Sequence, residues 1–283
     1  MKQKFVKLIN GKSIADEILS DLKLQISKLK NPPGIAAILI GDDPASKLYI
    51  KNKEKQSQKI GINFHKYLCN NDCCKYITEK EILKMIKFLN EDPKIHGIIV
   101  QLPLPTKFNT EKIISAINPK KDADGFQPEN LKNYLSGKTK NIPPLAAAIL
   151  AIINSENLQT AGRRITAITH SKIFGPVIKK ALTDLGAKVQ LISETDPALK
   201  QKTSQADILI SIVGKPEFIT ADFIKPDAVL IDVGITLTKD GFKGDVNFES
   251  VKNKATLITP TPGGVGPVTV AMLLKNVCEL AKN

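Results

Sequence analysis

Short apolar runs alternate with amphipathic helical segments along this chain, and this alternation restricts the possible fold more than any other feature. Residues 35–40 and Gly97–Val100 are typical of buried strands, whereas residues 12–29 and 79–89 repeat apolar positions at helical spacing. Strands separated by helices favour a parallel sheet, because each helix returns the chain to the same edge. The first half of the sequence therefore predicts an α/β layer.

The second half of the chain repeats this alternation after Gly162. A helix is predicted at residues 176–185, and four further strands are predicted at Arg164–Thr169, 188–193, 207–211 and Val229–Asp232. The segment 119–126 is polar and rich in turn formers, so we predict that the chain crosses between two domains there. A last helix at 268–281 follows the loop 259–267.

Charge and hydropathy exclude several classes of protein. The formal net charge is +13, but the lysines are spread along the chain and the arginines are confined to Arg163 and Arg164. Since arginine makes most bidentate contacts to bases and phosphates, no nucleic-acid partner is expected. The positive field either attracts anionic small molecules or is ordinary solvated surface, and both interpretations stay open. No apolar run is long enough to span a membrane, so no membrane partner is expected.

The N-terminus and the cysteines are typical of a reduced cytoplasmic protein. Residues 1–5 lack the apolar segment of a secretory signal. The spacing of the four cysteines fits neither paired zinc knuckles nor a disulfide framework: Cys69, Cys73, Cys74 and Cys278. We therefore expect a cytoplasmic protein that has thiols and no metal site.

The helix predicted after residues 35–40 carries the first candidate catalytic groups. Asp43 can cap this helix, and Pro44 suits its first turn, where a missing N–H loses no partner. Tyr49 and Lys53 then lie one turn apart on one helical face. Such a phenol and ammonium can polarise a substrate and move a proton, because burial readily lowers the pKa of lysine. The alternative is a solvated, lysine-rich helix.

Two polar residues from later segments are expected close to this pair. Gln101 follows the strand Gly97–Val100, and adjacent parallel strands end at one edge of their sheet. Its side chain can hydrogen-bond Lys53 and help to hold the amine neutral. Asp124 can accept paired N–H groups of a heterocycle. Each has a simpler interpretation: Gln101 as a cap for local backbone, and Asp124 as a turn former before Gly125.

Two loops are candidates for ligand contacts. Residues 169–175 join a strand to a helix but keep only the last glycine of the phosphate-binding pattern G-x-G-x-x-G. Residues 262–267 combine glycines that allow close approach of a flat ligand with prolines that limit motion, and a plain turn is the alternative. Gly214 and Gly234 follow two further strands, where ligands usually bind in such sheets.

Taken together, these segments resemble the bifunctional methylenetetrahydrofolate dehydrogenase/methenyltetrahydrofolate cyclohydrolase family. The resemblance runs from about Asn10 to Asn276, and its segments keep the family order. Those segments are residues 43–46 with Tyr49 and Lys53, 97–105, 121–126, 232–235, 244–246 and 262–267.

The resemblance implies two α/β domains with parallel sheets around a cleft, the second of them Rossmann-like. Residues 1–124, completed by the C-terminal helix 268–283, would bind a tetrahydrofolate derivative, and residues 125–267 would bind the dinucleotide. It also implies a homodimer that oxidises 5,10-methylenetetrahydrofolate with NAD(P)+ and hydrolyses the methenyl product to 10-formyltetrahydrofolate. A family member with only the cyclohydrolase activity, or a non-catalytic folate- or nucleotide-binding protein, remains an alternative.

The same resemblance implies residue roles. The lysine that matches Lys53 assists both reactions, and the tyrosine that matches Tyr49 places the folate. The glutamine that matches Gln101 tunes the lysine, and the aspartate that matches Asp124 holds the pterin. Further substrate-binding residues are expected at Leu102, Pro103, Pro262, Gly263 and Gly264. Cofactor-binding residues are expected at Thr169, His170, Ser171, Gly175, Glu194, Gly214 and Ile235.

Two departures from the family pattern concern the cofactor. Thr169, His170 and Ser171 stand where the family usually has Gly-Arg-Ser, whose arginine contacts the extra phosphate of NADP. Glu194 stands where the family often has a serine, and an acid at the end of that strand accepts ribose hydroxyls and repels a 2′-phosphate. NADP is the family norm, but we predict that NAD is better tolerated here. Thr169 also narrows the loop, which affects the dehydrogenase more than the cyclohydrolase.

Overall fold

The computed structural model describes residues 6–69, 77–139 and 141–282; Cys73 and Cys74 lie outside the described residues. The chain forms two compact units. The first unit comprises Asp16–Pro144 and Val270–Asn283, and the second unit comprises Met1–Ala15 and Leu145–Thr269. The domain limits expected from the resemblance, at residues 124 and 125, remain a prediction.

The elements before residue 160 include the strands of the first sheet. In chain order they are β1 Lys7–Leu8, α1 Gly11–Ile26, β2 Gly34–Ile40, α2 Pro44–Ile60, β3 Asn63–Cys69, α3 Glu79–Glu91, β4 Gly97–Val100, α4 Thr110–Ser115, α5 Pro128–Leu135 and α6 Pro144–Ser155. A short 3-10 helix, Pro119–Lys121, lies between α4 and α5.

The elements after residue 160 include most strands of the second sheet and a separate antiparallel pair of strands. They are β5 Arg164–Thr169, α7 Phe174–Thr183, β6 Lys188–Ile192, α8 Leu199–Thr203, β7 Ile208–Ile212, β8 Val229–Asp232, β9 Thr236–Thr238, β10 Gly241–Lys243, α9 Phe248–Val251, β11 Leu257–Ile258 and α10 Val265–Leu280. A second 3-10 helix, Ala221–Phe223, precedes β8.

The first unit is built on a parallel sheet in the order β3-β2-β4. β2 is the central strand and every one of its residues is buried, which explains its uninterrupted apolar sequence. Ile38 of β2, Ile98 of β4, Ile86 of α3 and Ile113 of α4 belong to one hydrophobic core. This core holds the carboxyl ends of β2 and β4 in place.

Both ends of α3 are satisfied by hydrogen bonds. At its N-terminus Thr78 and Glu81 form a reciprocal capping box, for which the spacing Thr-x-x-Glu is the sequence signal. After its C-terminus the Lys121 ammonium donates to the carbonyl oxygens of Leu89 and Asp92, at 3.0 Å and 2.6 Å. The lysine thus places positive charge at the negative end of the helix dipole.

The second unit contains a parallel sheet in the order β1-β11-β8-β7-β5-β6. The chain runs from β5 to β6 on one side and then crosses back to β7 on the other side of β5. Such a reversal of strand order creates a crevice at the carboxyl ends of the strands, where doubly wound sheets bind ligands. The predicted class, two α/β layers with parallel strands and a Rossmann-like second sheet, is confirmed.

Several local features differ from the sequence prediction. α10 begins at Val265, so the end of the predicted loop 262–267 is helical. Pro267 fits there because the first turn of a helix has no N–H bond to lose. The two-residue strands β1 and β11 pair with each other in parallel, and neither was predicted. Strands of two residues are too short to show an alternation of apolar and polar side chains. They form only because segments that are far apart in sequence pair with each other.

The segment 119–126, which we predicted to cross between domains, belongs to the first unit. Asp122 and Ala123 are buried, and the Ala123 amide donates to the carbonyl oxygen of Ile98 at 3.4 Å. The chain passes from the first compact unit to the second between Pro144 and Leu145. The polar, turn-rich composition of this segment indicated an irregular connection. It did not indicate that Asp122 pairs in parallel with Ile98 of β4.

The described residues also bear on membrane and metal binding. None of the helices in this part of the chain has the length and hydropathy that a membrane span requires. No group of three His, Cys, Asp or Glu side chains among the described residues is placed to hold a metal ion. Cys69 and Cys278 are both buried, and burial raises the pKa of the Cys278 thiol to about 11.

His96 gives the first unit a stability that depends on pH. Its Nδ1 accepts the amide N–H of Gly34 at 2.9 Å, and burial lowers the pKa of the imidazole, helped by the charge of Lys121. The folded state therefore favours neutral His96, and this stabilisation is lost as the pH falls below about 6.5, where the unfolded chain takes up the proton.

We expect His96→Leu to destabilise the protein by about 1–3 kcal/mol at pH 7.5, because the Gly34 amide loses its acceptor. His96→Asn keeps an acceptor that does not titrate, so its thermal midpoint should fall less than that of wild type between pH 7.5 and pH 5.5. Thermal unfolding at both pH values measures this, and equal losses in wild type and His96→Asn would contradict it.

Candidate active site

α2 has the ends that the sequence predicts. The Asp43 carboxylate accepts the Ser46 amide at 2.7 Å, Pro44 opens the helix, and Gly61 ends it in the left-handed conformation at φ 86°. Because the N-terminal cap fixes where the helix begins, Tyr49 and Lys53 lie one turn apart on it. Both side chains are half-buried.

Lys53 contacts the residue that follows β4. Its Nζ donates to Gln101 Oε1 at 2.9 Å, and Gln101 Nε2 donates to the Leu102 carbonyl oxygen at 2.8 Å. The Gln101 backbone amide donates to the Ile38 carbonyl oxygen at 2.9 Å, so it continues the pairing of β4 with β2. The amide of Gln101 is thus anchored at both ends, and it presents its oxygen to the lysine. The predicted contact between Lys53 and Gln101 is present.

Asp124 and Lys53 influence each other's protonation. Burial lowers the pKa of Lys53, and the charge of Asp124 partly opposes this. Burial also raises the pKa of Asp124 to about 6; Lys53 lowers it and the charge of Asp122 adds to the rise. Burial raises the pKa of Tyr49, so the phenol stays protonated. The site therefore holds an amine and a carboxyl group that both titrate closer to neutral pH than they would in water.

The structure adds Asp122, which sequence reasoning did not single out as a site residue. Its carboxylate accepts the amides of Gly125 and Gln127 at 3.0 Å and 2.9 Å, and Asn130 Nδ2 at 3.0 Å. These bonds close the turn that carries Asp124. The spacing Asp-x-x-Gly from Asp122 to Gly125 is typical of such a turn, but it does not indicate that the turn carries a site residue.

Asn276 of α10 is a second residue that the sequence did not indicate. Its Nδ2 donates to the carbonyl oxygens of Ala123 and Ile142, each at 3.1 Å. Because Ala123 directly precedes Asp124, the backbone beside the carboxylate is held from both sides. Nothing local marks Asn276, since its partners are more than a hundred residues away in sequence.

The other predicted substrate residues fall into two groups. Leu102 is half-buried and Pro103 is exposed, and both directly follow Gln101, with a cis peptide bond between them. Pro262, Gly263 and Gly264 belong to the second unit. There a Cβ atom on Gly11 would lie 1.8 Å from the Gly264 carbonyl oxygen, so the start of α1 packs directly on this loop. A ligand role for these five residues remains a prediction.

The loop after β5 is organised by its own hydroxyl groups. Thr169 Oγ1 accepts the Ser171 amide at 3.1 Å, and Ser171 Oγ accepts the amides of Ile173 and Phe174 at 3.3 Å and 3.1 Å. A Cβ atom on Gly175 would lie 3.2 Å from Thr169 and from Leu191. Gly175 thus allows α7 to approach the sheet closely, which is the packing role of the last glycine in dinucleotide-binding folds.

Glu194 lies two residues after the end of β6, close to an imidazole and an ammonium group. Its Oε1 is 3.6 Å from His170 Nδ1 and 4.0 Å from Lys215 Nζ, and only 13% of its side chain is exposed. A cavity of about 560 Å³ opens beside it, and Pro197, Leu199 and Phe218 are among its lining residues. This combination of an apolar wall and a fixed carboxylate suits the adenosine end of a dinucleotide.

Gly214 and Ile235 follow β7 and β8. Gly214 has φ 73°, and nothing lies within 4 Å of a Cβ atom built on it. Its carbonyl oxygen accepts Thr236 Oγ1 at 3.1 Å. The backbone at Gly214 is therefore open to close approach by a ligand.

The fold and these groups define a class of protein. One unit carries a perturbed lysine beside a parallel sheet, and the other carries a doubly wound sheet whose switch point has an acid after β6. This is the arrangement of a two-domain α/β enzyme with a dinucleotide-binding domain.

Sequence comparison identifies the family. Residues 9–124 match the sequence model of the tetrahydrofolate dehydrogenase/cyclohydrolase catalytic domain, and residues 143–283 match that of its NAD(P)-binding domain. The chain belongs to the tetrahydrofolate dehydrogenase/cyclohydrolase family, which confirms the predicted resemblance.

Full-length relatives and solved structures agree with this. The chain is 41% identical over 280 residues to the bifunctional protein FolD of Nautilia profundicola, covering 98% of this chain and 97% of that protein. It is 39% identical over 280 residues to FolD of Lactococcus lactis, with coverage of 98% and 97%. The structure of FolD from Campylobacter jejuni matches with a TM-score of 0.92 at 35% identity, covering 98% of this chain and 99% of that one.

The coupling between Lys53 and Asp124 can be measured directly. NMR titration of the Asp124 carboxyl carbon should show a midpoint near pH 6 in wild type, in line with the raised pKa of about 6. Lys53→Met removes the positive charge that lowers this pKa, so the midpoint should rise. Lys51→Met, which removes an exposed charge from the same helix, should leave it unchanged; an unchanged midpoint in Lys53→Met would contradict the coupling.

Proposed function

We propose that this chain oxidises 5,10-methylenetetrahydrofolate with NAD(P)+ and hydrolyses the resulting methenyl cation to 10-formyltetrahydrofolate. Membership of the family supports both activities. The observation in the structure that carries the proposal is the hydrogen bond from Lys53 to Gln101, beside the raised pKa of Asp124. A site for this chemistry must tolerate a cationic substrate and then activate water next to it.

Lys53 is suited to the hydrolytic step because burial lowers its pKa. The lowered pKa makes the deprotonated amine easier to reach, and in that form the amine accepts a proton from water while the water oxygen bonds to the methenyl carbon. The carbon–N5 bond then breaks as the carbonyl forms, and the hydroxyl proton passes to N5. One proton is released overall. Gln101 Oε1 accepts one N–H of Lys53, which orients the amine for this exchange.

Asp124 and Tyr49 are proposed to hold the folate. At pH 7 a carboxyl group with a pKa of about 6 is mostly ionised, so Asp124 can accept the paired N–H groups of the pterin. Its negative charge also favours the cationic substrate. Tyr49 keeps its proton and can donate to a substrate oxygen or nitrogen. The half-buried phenol ring offers an apolar face as well.

The second unit is proposed to bind the dinucleotide. When bound, this cofactor supplies the two-electron acceptor for the oxidation. The cavity beside Glu194 and the open backbone at Gly214 support this assignment. Thr169 and Ser171 hold the loop after β5, and Lys215 places positive charge beside Glu194.

The role of Lys53 is tested by Lys53→Met. We expect cyclohydrolase activity, followed as loss of the methenyl absorbance, to fall by about 10²–10⁴-fold, the usual contribution of a positioned acid or base. Lys51→Met should retain wild-type rates. Circular dichroism and thermal melting must show that both variants are folded, and a folded Lys53→Met enzyme with undiminished turnover would refute the assignment.

We further propose that NAD is better tolerated than the family norm suggests. The Glu194 carboxylate is fixed at the end of β6, where its oxygens can accept ribose hydroxyls. A 2′-phosphate would bring negative charge against it. Lys215 offsets part of this repulsion, so the preference for NAD is moderate rather than absolute.

Glu194→Gln should remove the repulsion and move the preference toward NADP. We expect the ratio of Kd values, NADP over NAD, to fall by about tenfold, which corresponds to roughly 1.4 kcal/mol. Calorimetric titration with both cofactors measures this at constant ionic strength. Glu249→Gln, on exposed α9, is the matched control. A wild-type protein that clearly prefers NADP, or an unchanged ratio in Glu194→Gln, would count against the proposal.

Two broader expectations belong to the same proposal. The family resemblance supports a homodimer and a cytoplasmic location. Sedimentation of the purified chain tests the first, and a mass of one chain at micromolar concentration would exclude it. Fractionation of the source cells tests the second.

A further inference from the structure

Two buried carboxylates in the second unit have no role in the chemistry described above. Asp232 ends β8, and Asp245 follows β10; they are 3% and 0% exposed. Neither has an ammonium or guanidinium group as its hydrogen-bond partner in the described structure; both accept backbone amides instead, and Asp245 also accepts a hydroxyl group. Buried carboxylates are costly unless their oxygens are well satisfied, so this arrangement calls for an explanation.

Asp245 holds the loop around Gly214. Its Oδ2 accepts Ser211 Oγ at 2.7 Å and the Val213 amide at 2.8 Å, and its Oδ1 accepts the Lys215 amide at 2.9 Å. The residues immediately before and after Gly214 are therefore bound to the two oxygens of one carboxylate. This fixes the left-handed turn at Gly214, where φ is 73°.

Asp232 holds the next loop and also holds Asp245. Its Oδ1 accepts the amides of Gly234 and Asp245 at 3.0 Å and 3.1 Å, and its Oδ2 accepts the Val246 amide at 2.9 Å. Gly234 directly precedes Ile235. Asp245 thus binds the loop after β7, Asp232 binds the loop after β8, and the Asp245 amide donates to Asp232.

Two glycines make this arrangement possible. A Cβ atom on Gly234 would lie 2.1 Å from Asp245 Cγ, and one on Gly244 would lie 2.0 Å from Asp232 Oδ2. The Asp245 carboxylate therefore occupies the space where a side chain on Gly234 would lie. The Asp232 carboxylate occupies the corresponding space at Gly244. Side chains of any other kind at these two glycines would force the loops apart.

We propose that Asp245, supported by Asp232, is a positioning residue for dinucleotide binding: it sets the backbone around Gly214 and Ile235 without touching the cofactor. The inference rests on the proposed cofactor role of those two residues. All the hydrogen-bond partners of the Asp245 carboxylate act as donors, so a carboxamide cannot replace it. The NH2 group of an asparagine would face an N–H or O–H group, and one loop segment would lose its acceptor.

The test compares Asp245→Asn with Asp240→Asn, an equal change of charge at the exposed turn between β9 and β10. We expect Asp245→Asn to raise both the Kd and the KM for the dinucleotide by at least about tenfold. Cyclohydrolase activity, assayed without dinucleotide, should stay within twofold of wild type because Lys53 belongs to the first unit. Asp240→Asn should change none of these values.

Ser211→Ala is a milder second variant, for use if Asp245→Asn does not fold. It removes one of the three donors to Asp245, so we expect a rise of about threefold in the dinucleotide Kd with unchanged cyclohydrolase activity. An unchanged Kd in a folded variant, or an equal loss of both activities, would overturn the inference. If wild type itself forms no reduced dinucleotide, the proposed function fails instead, and the two failures are distinguished.

Discussion

Burial of the Lys53 amine beside the carboxyl end of β4 is the constraint on which the candidate active site depends. An amine removed from water needs an acceptor and a nearby negative charge, or its burial would cost several kcal/mol. Gln101 supplies the acceptor at 2.9 Å, and Asp124 supplies the charge. Because burial acts on both ionisable groups, the pKa of the lysine falls while that of the aspartate rises to about 6. The same environment thus moves both pKa values toward neutral pH.

In both units, buried aspartate carboxylates shape the loops by accepting backbone amides. In the first unit the Asp122 carboxylate gathers the amides of Gly125 and Gln127 and so presents Asp124. In the second unit Asp232 and Asp245 gather the amides that follow β7 and β8. A carboxylate with two oxygens can bind several N–H groups at once, which makes it effective at fixing irregular backbone at the ends of strands. The loops keep their shape in this way without regular secondary structure.

Local sequence signals succeeded where the responsible residues are neighbours in the chain. Asp43 and Gly61 bound α2 as predicted, because capping depends on groups within one turn of the helix end. The contact between Lys53 and Gln101 was also predictable, since parallel strands joined by helices bring successive carboxyl ends to one edge. The role of Asn276 was not predictable in this way. Asn276 acts on Ala123 across 153 positions of sequence, and periodicity carries no information over that span.

The sequence by itself determined the alternation of strands and helices, the family, and the identity of the groups that can carry chemistry, because these follow from side-chain periodicity and from motifs of neighbouring residues. The tertiary structure alone decided which polar groups are buried, and therefore which pKa values move and which loops are held. It also decided the pairing of β1 with β11 and the assignment of the segment 119–126 to the first unit. Burial and hydrogen bonding depend on atoms from distant parts of the chain, and those become neighbours only when the chain has folded.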